Sequence, residues 1–169
     1  MSADVRKAPV QEPPSPWGGL LMGIGLGGFV DGIVLHEIFQ WHHMLTNHES
    51  DKTLSGLELN TVADGFFHVA TWIFVVAGSV VMIRSWRQGR MSPNLPFHLG
   101  LLLGGWGLFN VVEGIVDHHV LKVHHVRDDL GGPLSWDLGF LAFGVLLMVV
   151  GWLLYRRGLA RMQRRIARR

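Results

Sequence analysis

Residues 18–43 read GGLLMGIGLGGFVDGIVLHEIFQWHH, and residues 100–125 read GLLLGGWGLFNVVEGIVDHHVLKVHH. The strings align without a gap at an offset of 82, with 13 of 26 positions identical. The identities include the glycine pairs Gly18/Gly100, Gly25/Gly107 and Gly32/Gly114 and the histidine pairs His36/His118, His42/His124 and His43/His125. Asp31 pairs with Glu113. Shared apolar composition does not align three glycines and three histidines, so the chain carries an internal repeat. Each string is apolar early and polar late.

A spanning helix needs about 20 mostly apolar residues. Besides the repeated strings, at about 17–39 and 97–121, the stretches at about 66–83 and 138–155 qualify, and neither contains a charged residue. We therefore expect an all-α, integral membrane four-helix bundle made of two repeated helix hairpins, repeat one at 17–90 and repeat two at 97–157. The hairpins share one membrane orientation, related by a pseudo-two-fold axis along the membrane normal. Charged residues make up 17% of the 169, below the quarter usual for a soluble domain. The chain has no Cys, which excludes a disulfide scaffold and a thiolate metal site.

The net charge of +2 conceals an asymmetry. Twelve of the 15 basic residues fall in the N-terminal tail (Arg6, Lys7), the middle loop (Arg84, Arg87, Arg90) and the C-terminal tail, where seven Arg lie between Arg156 and Arg169. Only Asp4 and Glu12 of the 13 acids share that side. The positive-inside rule then puts both termini in the cytoplasm and the loops at about 44–63 and 122–136 outside. Residues 1–16 read as a flexible cytoplasmic tail, without the layout of a signal peptide. Residues 156–169 read as a basic cytoplasmic tail serving topology and anionic lipid rather than nucleic acid. Trp17, Trp41, Trp86 and Trp136 sit near span ends, as interface anchors do.

Gly18, Gly25 and Gly32 are seven apart, as are Gly100, Gly107 and Gly114. The simplest packing sets these stripes against each other, since small residues let helices approach closely in lipid. His36 and His43 continue one stripe and His118 and His125 the other, so these four converge at the outer end. Asp31 and Glu113 stand five residues before their His, about 140° around an α-helix, and so on a different face. They share that second face with His42 and His124. Asp64 and His68, four apart, lie near the outer end of span two, and Asp137 matches Asp64 in span four.

Nine of the ten His lie on or near the outer half, His119 among them; only His98 belongs to the inner end. Buried ionisable groups at membrane depth are expensive and usually functional. Imidazoles with carboxylates and without Cys suit iron, zinc, manganese or oxidised copper. First-choice metal ligands are His36, His43, His118 and His125. A second set, Asp31, Asp64, His68, Glu113 and Asp137, would hold another ion or orient the imidazoles. His42, His119 and His124 complete the candidates, although His42 and His119 also suit backbone capping. His48 and His98 read as solvated or hydrogen-bonded interface residues.

The strings GFVDGIVLHEIFQWHHM, ADGFFH and GLFNVVEGIVDHHVLKVHHVR resemble an uncharacterised bacterial family of integral-membrane proteins with a domain of unknown function. The resemblance covers about 17–155. It implies four spans in a bacterial inner membrane. It also implies an association with a cytochrome oxidase copper-assembly membrane protein, and so a membrane-protein partner in metal or oxidase assembly. It assigns no reaction.

Four functions compete on these residues. A metal centre would serve storage, delivery or a di-metal redox reaction. A proton or ion relay would use the carboxylate–imidazole ladder, but polar residues stop at Asn110. A b-type cytochrome would need room for haem between glycine-packed helices. An assembly subunit would need no chemistry at all.

Overall fold

The computed structural model describes residues 14–90 and 94–168, with the side chain of Ile166 left aside. Most of the N-terminal tail lies outside the described residues. Four apolar helical segments are long enough to cross a membrane: Pro16–Ile38, Leu54–Arg87, Leu95–Val120 and Leu134–Arg165. The regular elements among the described residues are all helical. They are α1 (Pro16–Phe29), a π-helix π1 (Val30–Ile38), α2 (Leu54–Arg87), α3 (Leu95–Glu113), a π-helix π2 (Gly114–Val120), a single 3-10 turn (Asp128–Leu130) and α4 (Leu134–Ala167).

Local chemistry sets the helix starts. Pro16 opens α1, where its missing N–H costs nothing. Thr53 Oγ1 accepts from Gly56 N and caps α2, and Asn94 Oδ1 accepts from Phe97 N and caps α3. Gly131 and Gly132 turn the chain into α4 at φ +83° and +65°, which glycine adopts freely. At 34 residues, α2 and α4 are about 51 Å long, well beyond the hydrocarbon core. The hydropathy pattern predicts loop up to about residue 63. Instead α2 begins at Leu54, because the Thr53 cap starts a helix that polar residues then continue.

α1 packs against α3 at the centre, α2 packs on α1, and α4 packs on α3. Among the described residues, α2 and α4 do not meet. The central pair is buried over a far larger share of its length than α2 or α4.

The glycines explain the order, and they correct one expectation. The stripes with a spacing of seven do not face each other. A Cβ on Gly18, Gly25 or Gly32 would strike Met82, Thr71 or His68, all on α2. A Cβ on Gly100, Gly107 or Gly114 would strike Tyr155, Gly144 or Leu141, all on α4. Each stripe therefore binds its own hairpin partner. The seam between α1 and α3 is made by Gly23 and Gly105, where a Cβ on either would lie 2.9 Å from the other's Cα. Gly23 is two residues from Gly25, about 200° around an α-helix. The central helices are thus glycine-lined on two opposite faces, and the spacing of seven picks out only one.

The paired contacts also put the second half of each hairpin in register. Asp64, Phe67, Thr71 and Gly78 of α2 take the places of Asp137, Phe140, Gly144 and Gly151 of α4, an offset of 73.

Candidate metal centre

Both central helices change pitch as they reach the outer end. In π1 and π2 the carbonyls bond five residues on, and Phe39 N→Val34 O (2.8 Å) and Leu121 N→Val116 O (2.7 Å) close the two segments at matching positions. π-turns are rare and cluster at functional sites. Here the wider turn brings residues five apart onto one face. His36 Nε2 lies 3.3 Å from Asp31 Oδ2, and His118 Nε2 lies 3.0 Å from Glu113 Oε1. The expectation that each carboxylate and its His occupy different faces assumed an α-helix, and the pitch change removes it.

The π-helices end alike. Gln40 and Lys122, equivalent in the repeat, adopt φ +50° and +53°. These are the positive-φ residues other than glycine among the described residues, and such conformations are uncommon. The reversal folds His42–His43 and His124–His125 back over the helix ends. His42 Nδ1 then donates to Val126 O (3.0 Å), and His124 Nδ1 donates to Met44 O (3.2 Å). Positions 44 and 126 are themselves equivalent, so each repeat holds the other's histidine.

Six side chains gather around the pseudo-two-fold axis: Asp31, His36 and His42 from repeat one, and Glu113, His118 and His124 from repeat two. The four imidazoles are each 2% exposed or less. The His42 and His124 rings stack at 4.5 Å with planes 9° apart. The His36 ring lies 4.4 Å from that of His42, and the His118 ring 4.9 Å from that of His124. Two sets of three donors lie within 4.8 Å of one another: His36, His42, His124 and Glu113, His118, His124.

A layer of carboxylates orients these rings. Asp64 accepts from His36 Nδ1 (2.8 Å), His43 Nδ1 (2.7 Å) and Met44 N (2.9 Å). Asp137 accepts from His125 Nδ1 (2.7 Å) and Val126 N (3.0 Å), with His118 Nδ1 3.5 Å away. His43 and His125 therefore bond outward to aspartates. The axis instead takes His42 and His124. His119 Nδ1 donates to Gly114 O within its own π-turn (2.7 Å). His68 lies against Gly32 and stacks near Phe29, and Leu141 takes its place in repeat two.

The hydrogen bonds determine what the inner atoms can do. A neutral imidazole that donates through Nδ1 leaves an unprotonated Nε2. The Nε2 atoms of His36, His42 and His118 are buried without a hydrogen-bond partner, as is Glu113 Oε2. His124 Nε2 faces Glu113 Oε1 at 3.0 Å while its Nδ1 donates elsewhere. Two acceptors facing each other in a dry site require a proton or a cation between them. Outside the spans, burial and the nearby His124 and His36 hold His42 well below the usual imidazole pKa. The Asp64 hydrogen bond raises that of His43.

Two features escaped the sequence reading. Asn60 is fully buried and clamps the first outer loop, donating to Glu49 O and Gly56 O and accepting from Leu45 N. Arg127 lies over the Trp41 and Trp136 rings, 4.4 and 5.0 Å from their centroids, and forks onto Asp129. Those two Trp cover the outer end beside the site rather than serving only as lipid anchors.

The fold and the site define a four-helix membrane protein with a buried imidazole–carboxylate cluster at one end. Residues 18–158 match the family described as "Predicted membrane protein (DUF2243)", and the chain belongs to that family. No curated protein and no solved structure matches it.

Proposed function

We propose that this protein holds a transition-metal ion between π1 and π2. The ligands come from Asp31, His36, His42, Glu113, His118 and His124, and Asp64 and Asp137 orient them. The observation that carries this reading is the set of buried, unpartnered Nε2 atoms of His36, His42 and His118, the first two on rings whose Nδ1 atoms already donate to Asp64 and to Val126 O. Metal-bound imidazoles are fixed in this way, through the other ring nitrogen. Nitrogen and oxygen donors without sulfur favour iron, zinc, manganese or oxidised copper.

The charge asymmetry supports both termini in the cytoplasm and the site at the outer end, and the family resemblance supports a bacterial inner membrane, where that end is periplasmic. Storage, delivery to a membrane-protein partner in oxidase assembly, or redox chemistry at the metal fit such a site. Haem fits poorly, because Gly23 and Gly105 hold the central helices at backbone contact. Elemental analysis of the full-length protein purified in detergent tests the reading. A stoichiometric metal that disappears in the His42→Ala/His124→Ala double variant supports it. Protein that contains no metal and takes up none on reconstitution overturns it.

A further inference from the structure

The geometry points to two metal ions in this centre rather than one, an inference that rests on the metal-binding reading. Zinc and similar ions sit about 2.0–2.2 Å from nitrogen and oxygen ligands. Donors on opposite sides of one ion are then at most about 4.4 Å apart. His36, His42 and His124 lie within 4.8 Å of one another, and so do Glu113, His118 and His124, but the five do not form one set that close. A single ion therefore leaves part of the cluster unligated. The two sets share His124, whose Nε2 lone pair serves one ion only.

The repeat resolves the assignment. Glu113 Oε1 is 3.0 Å from both His118 Nε2 and His124 Nε2, so repeat two supplies a complete three-residue site. His36 and His42 then remain, both with unpartnered Nε2 atoms, and Asp31 Oδ2 lies 3.3 Å from His36 Nε2. His36 and His42 form the second site, with Asp31 beside His36; these residues are the repeat counterparts of the first site, although Asp31 does not come as close to His42 as Glu113 does to His124. Buried Glu113 Oε2 has no partner, so this carboxylate keeps a second oxygen available to an ion. The sites are unequal. Aspartate is one methylene shorter than glutamate, and Asp31 is within reach of His36 only among the cluster's imidazoles.

Divalent cobalt and manganese are suitable probes on full-length, metal-stripped protein in lipid nanodiscs. The expected saturation is two cobalt ions per chain in wild type and one in Asp31→Asn, with unchanged helical circular dichroism. Manganese-loaded wild type should give the electron paramagnetic resonance spectrum of a coupled pair, a readout that needs no variant. Saturation at one cobalt with an isolated-ion manganese spectrum overturns the pair and leaves the metal reading standing. Two ions in both wild type and Asp31→Asn overturn the assignment of the second site to Asp31. No bound ion in wild type overturns the metal reading itself.

Discussion

The His42 and His124 rings lie parallel at 4.5 Å on the pseudo-two-fold axis, and each donates its Nδ1 proton to a carbonyl of the opposite repeat. The two repeats are thus tied together by the residues that also present lone pairs to the centre. Losing either ring removes a donor and also loosens the joint between the loops.

Asp64 takes no place in the two donor triplets, yet its hydrogen bond fixes the orientation of His36. Replacing Asp64 by Asn should weaken metal binding about 10–100-fold. Helical content should persist. Competition titration against a chelator measures the shift, and unchanged affinity would show that Asp64 does not orient the ligand.

The spacing within π1 should be required for binding. Inserting an alanine after Ile33 sets Asp31 and His36 six residues apart, about 120° around an α-helix if the segment reverts to that pitch. Metal stoichiometry should fall while the protein still inserts and elutes as wild type. Full binding by the insertion variant would show that the spacing is incidental.

Close packing at the central seam predicts a contrast between glycines. A Cβ on Gly23 meets the Leu102 carbonyl and Gly105 Cα, which are backbone and cannot swing aside. Gly23→Ala should destabilise by about 1–3 kcal/mol. Gly139 lies within α4 with nothing near its Cβ position, so Gly139→Ala should be neutral or stabilising by up to about 1 kcal/mol. Thermal unfolding in detergent separates the two. Equal effects would contradict the packing.

His42 gives the metal-free protein an acid-sensitive term. Its folded pKa is depressed below 6.5, so the unfolded chain binds its proton more readily. The stability contribution is present above about pH 6.5 and is lost as pH falls below it. The stability advantage of wild type over His42→Gln should therefore shrink between pH 7.5 and 5.5. An advantage that grows on acidification would mean that burial does not hold His42 neutral. His43 has the opposite sign. Its raised pKa gives stability that is full below 6.5 and fades as pH rises through the raised value.

Much of this protein is decided along the chain. Four apolar runs dictate four helices, because backbone polar groups in lipid must be satisfied within each segment. The repeated Asp31/Glu113, His36/His118 and His42/His124 pairs put the chemistry at one end in duplicate. The tertiary structure decided which of these residues meet. Helical periodicity with α-pitch set Asp31 apart from His36. Only the π-turns unite them, and nothing in a spacing of seven announces a change of pitch. His43 and His125 continue the glycine stripe in sequence, but the reversals at Gln40 and Lys122 carry them outward to Asp64 and Asp137 and bring His42 and His124 to the axis. Likewise, the glycine spacing marked tight packing without naming the partner, because Gly23 and Gly25 serve opposite faces of one helix. A one-dimensional pattern fixes faces only while the helix keeps its pitch. Where the pitch changes and the chain folds back, contacts between repeats determine the site.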